Sequence, residues 1–133
     1  MATVQDVFSI DGRYFNVFIP MDGIERNFSV VDTDDAGRVI TGGMERDIVG
    51  TYYNYTIKLD TSLLSFEEYD DLYEILSDPV DYHEIIVPYG QRTLAFHAYV
   101  TQGKDVLNRI DRLGNHWKQL SVNFIAMEPE RLP

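Results

Sequence analysis

Hydrophobic period constrains this chain more than any other feature. One stretch repeats every three to four residues, while the other patterned stretches repeat every two. A period near 3.6 gathers side chains on one helix face, and a period of two sends them to alternate faces of a strand.

The helical stretch is predicted over residues 65–77. Ser65 with Glu68 three residues on is a capping box, in which each side chain satisfies an orphan backbone N–H at the helix start. Leu64 and Tyr69 stand where a hydrophobic staple would form. Phe66, Tyr69, Leu72, Tyr73 and Leu76 are expected to share the buried face, and Asp78-Pro79 ends the helix.

Strands are predicted elsewhere. Val49, Thr51, Tyr53, Tyr55, Ile57 and Leu59 alternate with more polar neighbours, as do Leu94 to Val100 and His116 to Ala126. Both faces of the Val49–Leu59 strand carry tyrosine, since Tyr52 points away from Tyr53 and Tyr55, which suits a central strand or a subunit contact. Tyr14 to Ile19 and Asn27 to Val31 are shorter candidates. Pro88-Tyr89-Gly90-Gln91 is expected to turn a hairpin, with Pro setting its first angle, and Asp11-Gly12 a tighter one joining Val7–Ile10 to Arg13–Ile19.

About seven or eight strands and one helix, without helix–strand alternation, predict a mainly β (α+β) fold. The expected form is an antiparallel β-sandwich or partly closed barrel with the helix on its flank. A chain of 133 residues is expected to make a single domain, 1–133. Residues 32–47, rich in Asp and Gly, read as a long loop that either orders against a partner or forms a simple floppy hairpin, with Val39 and Ile40 as a candidate short strand inside it. Residues 128–133 read as a Pro-ended C-terminal arm.

Charge narrows the function classes. The formal net charge is −11, and nine acids fall between Asp60 and Glu84, with no Lys or Arg between Lys58 and Arg92. Such a surface repels phosphate, so sequence-specific nucleic-acid binding is not expected. With no Cys, thiol nucleophiles, disulfides and Cys-ligated metals are excluded. No stretch approaches the roughly 20 apolar residues of a membrane span, and Met1–Ile10 lacks the basic start of a secretory signal, so no membrane partner is expected.

Catalytic motifs are equally scarce. Asp32-Thr-Asp-Asp-Ala-Gly37 has Ala36 and Gly43 where a calcium loop needs oxygen ligands. His83, His97 and His116 lack the two-histidine helical spacing of zinc proteases, and no Gly-x-Ser-x-Gly elbow is present. The glycines of the long loop are not followed by a phosphate-binding Lys. No catalytic residue, metal site or cofactor is expected, and the chain reads as a non-enzyme. The 17 aromatic residues in a sandwich pattern leave a small-ligand or carbohydrate-binding β-domain as the alternative.

Three runs carry a resemblance: Asp32 to Arg38 with Gly43 to Thr56, Val87 to Gln91, and Phe124 to Arg131. Together, over about Arg26 to Arg131, the chain resembles a family of small proteins encoded among the tail genes of bacteriophages and prophages. That resemblance implies a tail structural or assembly protein of the virion, assembled in the host bacterial cytoplasm. Its implied partners are copies of itself, as a ring, and other tail proteins. The implied subunit-interface residues are Arg38, Val39, Ile40, Met44, Arg46 and Arg131.

Overall fold

A computed structural model describes residues 8–32, 37–38, 44–45 and 47–133. Its elements, in chain order, are β1 (Ser9–Ile10), β2 (Arg13–Tyr14), β3 (Ile24–Asp32), β4 (Gly37–Arg38), β5 (Met44–Glu45) and β6 (Ile48–Leu59). Helix α1 (Phe66–Leu76) follows, then β7 (His83–Tyr89), β8 (Arg92–Tyr99), β9 (Gly103–Asp111) and β10 (Gly114–Ala126).

Eight of these strands form one antiparallel sheet that does not close on itself, in the order β2-β1-β7-β8-β10-β6-β3, with β9 also on β10. The expected mainly β fold with one helix is the fold observed. The longest strand, β10, joins the two halves. One flank pairs with β6 from Leu120 to Phe124, and the other takes β9 first and then β8 at Ile125 and Ala126. Strands β8 and β9 therefore run in succession along one edge of β10. Asn123 bridges the kink between them, its Oδ1 accepting the backbone N–H groups of Thr101 (3.2 Å) and Gln102 (3.0 Å). This kink lets one leaf (β2-β1-β7-β8) fold over the other (β9-β10-β6-β3).

Alternation along the strands supplies the core. Tyr55, Ile57 and Leu59 of β6 and Leu120, Val122 and Phe124 of β10 meet Ile10, Ile85, Val87 and Ala98 of the opposing leaf in one cluster. Tyr69, Leu72 and Leu76 of α1 complete it. Ser65 caps α1 with both bonds of the capping box in place.

Two expectations about packing need correction. The buried face of α1 is narrower than its periodicity implies, because Phe66 and Tyr73 are exposed while Ile75 packs on the core. The β7–β8 turn is the two-residue pair Gly90-Gln91, between partners Tyr89 and Arg92. Gly90 takes a positive φ of 58°, and Pro88 lies inside β7 opposite Thr93. Asp11 and Gly12 both have positive φ (51° and 79°), the geometry of the tight hairpin expected there.

Strand boundaries also differ. Tyr14–Ile19 contributes only Tyr14 to a strand and a single bridge from Phe18 to Asp60. β9 was not predicted at all, because Gly103–Asp111 has adjacent apolar residues (Val106, Leu107) that break the period of two.

Candidate functional site

The distal part of the β9–β10 hairpin is largely exposed. Between His116 and Ser121 the pairing slips twice, and Gln119 adopts a positive φ of 56°. Such bulges bend a strand and sharpen its twist. Below them β10 alternates into the core; above them its residues are largely exposed. Ile110 (69% exposed), Leu113 (75%) and Trp117 (41%) therefore meet solvent, with Val106 and Leu107 also exposed.

This hairpin is braced, not loose. Asp111 organises the tip by accepting the backbone N–H groups of Leu113 (2.9 Å) and Gly114 (3.3 Å) and the Arg109 Nε–H (3.1 Å). His116 Nε2 lies 2.9 Å from both Asp111 carboxylate oxygens. That imidazole contact, with the Leu113 and Arg109 bonds, holds the Asp111 carboxyl down at about 2. Helix α1 supports the base: the Tyr69 hydroxyl donates to Asp105 Oδ2 at 2.6 Å, and Phe66 meets the His116 ring edge-on at 5.4 Å. Burial, reinforced by the Asp105 bond, pushes the Tyr69 hydroxyl up, so it remains a donor. Phe66 thus covers the hairpin and not the core, which explains its exposure on the helix.

A second surface gathers at the other end of the sandwich. Arg26 of β3 stands opposite Tyr55 of β6. The Tyr89 and Tyr53 rings meet edge-on at 5.2 Å, with the Tyr89 hydroxyl donating to that of Tyr53 at 3.2 Å. Arg26 and Arg92 lie over the Tyr89 ring, at 5.3 and 5.4 Å from its centre. The Tyr89 hydroxyl, and after it the nearby Arg131 guanidinium, lower the Tyr53 pKa. The buried Tyr55 hydroxyl donates to the Pro88 carbonyl at 2.9 Å, anchoring this corner to β7.

Between the hairpin and the end of β6 lies a cleft of about 830 Å³. Trp117 gives it an aromatic wall, and Lys58, Lys104, Arg109 and Lys118 line it.

Each of the three histidines lies against a carboxylate, and His97 also has Glu84 at 3.6 Å. His83 Nδ1 is buried 2.7 Å from Asp11, and His97 Nδ1 lies 2.7 Å from Glu128. In the register His97 is opposite Glu84 and His83 is opposite Ala98, so the two project to opposite faces of the hairpin. His116 belongs to the Asp111 cluster described above. No group of three potential metal ligands occurs among the described residues.

Of the residues implied as interface, Arg38 and Met44 are cross-strand partners in the small β4–β5 ladder. Val39, Ile40 and Arg46 lie outside the described residues. Arg131 joins the arginine–tyrosine surface, and its backbone pairs with Thr51, whose N–H donates to the Arg131 carbonyl at 2.8 Å. The C-terminal arm therefore returns to β6 of its own chain. Neither Arg26 nor Arg92 was singled out from sequence, because they are 66 positions apart and converge only through the pairing of β3, β6, β7 and β8. The hairpin tip did leave a signal, the turn-forming Asp111-x-x-Gly114. Compared with known proteins, the chain matches no protein-family model and no curated sequence.

Proposed function

We propose that this protein is a structural subunit of a bacteriophage or prophage tail that works by self-association and by contact with neighbouring tail proteins. The observation that carries the self-association is the braced hairpin with Ile110, Leu113 and Trp117 exposed. A flexible tip could hide such residues by collapse, but one fixed by Asp111, Tyr69 and Phe66 presents them as a ready-made contact. The tail assignment itself rests on the resemblance of the runs Asp32–Arg38, Gly43–Thr56, Val87–Gln91 and Phe124–Arg131.

Ile110→Asp with Leu113→Asp tests this reading. Wild-type protein is expected to grow in mass with concentration by light scattering, while the double variant stays smaller with an unchanged circular dichroism spectrum. Trp117 is the chain's one tryptophan, so its emission reports the hairpin directly and should shift blue as wild-type protein associates. A wild-type particle that remains monomeric at high concentration, alone and with co-expressed tail proteins, defeats the proposal.

The cleft beside Trp117 favours a second reading, a small-ligand or carbohydrate-binding domain without catalysis. Titration with neutral and acidic oligosaccharides separates the two. Saturable quenching of Trp117 in a monomeric protein belongs to the second reading.

A further inference from the structure

From the arginine–tyrosine surface we infer a specific subunit contact: Arg26, Arg92 and Arg131 receive the acidic face of helix α1 from a second copy of this chain. This inference rests on the self-association proposed above and adds to the hairpin a second contact with both of its surfaces named.

The argument starts from charge. In a chain of net charge −11, three guanidinium groups converge on two tyrosine rings. The arginine ion pairs present among the described residues are Arg13 with Asp71 and Arg109 with Asp111; neither involves this trio. All three arginines are exposed at the surface. Like charges held together without a counter-charge repel one another, and planar guanidinium forks are matched by carboxylates. Tyr53 and Tyr89 give the surface an aromatic floor, the composition typical of interface anchors.

The complementary surface is on the same molecule. Glu67, Asp70 and Glu74 are exposed along α1, and none has an ion pair among the described residues. Glu68 and Asp71 are already engaged, by the cap and by Arg13 respectively. Glu67 and Glu74 are two helical turns apart, about 10 Å, so their carboxylates form one ridge.

Within one chain the two surfaces do not pair. The arginines gather at the β7–β8 turn, and the α1 carboxylate that has an arginine partner, Asp71, takes Arg13 from β2. Among the described residues no ion pair joins the trio to α1. Two different, complementary surfaces left unmatched in one chain make a heterologous contact between copies. Such a heterologous contact closes into a ring or continues as a filament, depending on the rotation per step.

Two full-length variants provide the test. The first carries Arg26→Glu and Arg92→Glu, and the second carries Glu67→Lys, Asp70→Lys and Glu74→Lys; thermal melts confirm that each folds. Each variant retains one working charged surface and is expected to give a smaller particle alone than wild-type protein under the same conditions. Mixed in equal amounts, they should regain mass, because the first variant's α1 meets the second variant's arginines and the two charge-reversed surfaces match each other in turn. If the reversed charges unfold the first variant, Arg26→Gln with Arg92→Gln takes its place. Assembly of the first variant alone at the wild-type level overturns this contact while leaving self-association intact. Failure of the mixture to exceed the mass of either variant alone, with both folded, overturns α1 as the occupant. Failure of wild-type protein to assemble overturns both this contact and the reading beneath it.

Discussion

Gly50 occupies a position with no room for a side chain. Its φ is 155°, and a Cβ there would lie 2.6 Å from both the Arg131 carbonyl oxygen and the Pro129 Cβ. The C-terminal arm can dock on β6 only because residue 50 is glycine. Gly50→Ala is expected to destabilise the fold by about 2 kcal/mol, read as a lower urea midpoint with an unchanged slope. Trypsin cleavage after Arg131 should accelerate, because the Thr51 pairing that holds that backbone is lost. Asp111 is the comparable residue of the hairpin. Its folded-state pKa, about 2, lies below the ordinary 3.8, so its contribution is complete above 3.8 and fades as pH falls toward 2. Acidification through that window should loosen the tip and shift Trp117 emission. In Asp111→Asn the tip should be looser at neutral pH, and the acid-dependent step should shrink. Neither role could be assigned from sequence alone: Gly50 looks like a strand interruption, and Asp111 like one acid among 22.

At the scale of elements, α1 was the most legible part of the chain. A capping box acts over four residues and a helix face repeats within one turn, so local sequence contains what is needed. Ser65→Ala should cost about 1 kcal/mol, seen as a lower melting temperature, because it leaves the Glu68 N–H without its acceptor. Which aromatic residues of that helix are buried was less legible. Phe66 obeys the helical period but packs on His116, and Tyr73 obeys it but is exposed. Both outcomes follow from where β9 and β10 lie, which no helical periodicity encodes. β9 itself illustrates the limit, since a strand that faces solvent on both sides has no buried face to impose alternation.

At the scale of the whole molecule, charge is segregated and apolar surface is spread more widely. Nine acids lie on α1 and its flanks, and the arginine trio gathers beside the β7–β8 turn; exposed apolar residues stand on the β9–β10 hairpin and also on β3, at Phe28, Val30 and Val31. Association that uses the charged pair should weaken as the screening length falls from about 10 Å at 0.1 M salt to about 3 Å at 1 M. The mass measured by light scattering is therefore expected to fall across that range. A mass that holds or rises would assign association to the apolar hairpin alone, since added salt does not weaken hydrophobic contact.

Taken by itself, the sequence determined the class of fold, the position and capping of the helix, the Asp11-Gly12 turn, the place of the β7–β8 hairpin and the location of the negative charge. Each of these depends on residues close together in the chain, through period, turn chemistry or composition. Only the tertiary structure decided that β10 would bridge two leaves and that its distal half would bend away from the core. It alone brought Arg26, Arg92 and Arg131 to one pair of tyrosines. Those features depend on strand register and on pairings between distant segments, and hydrophobic period does not specify which strands become neighbours.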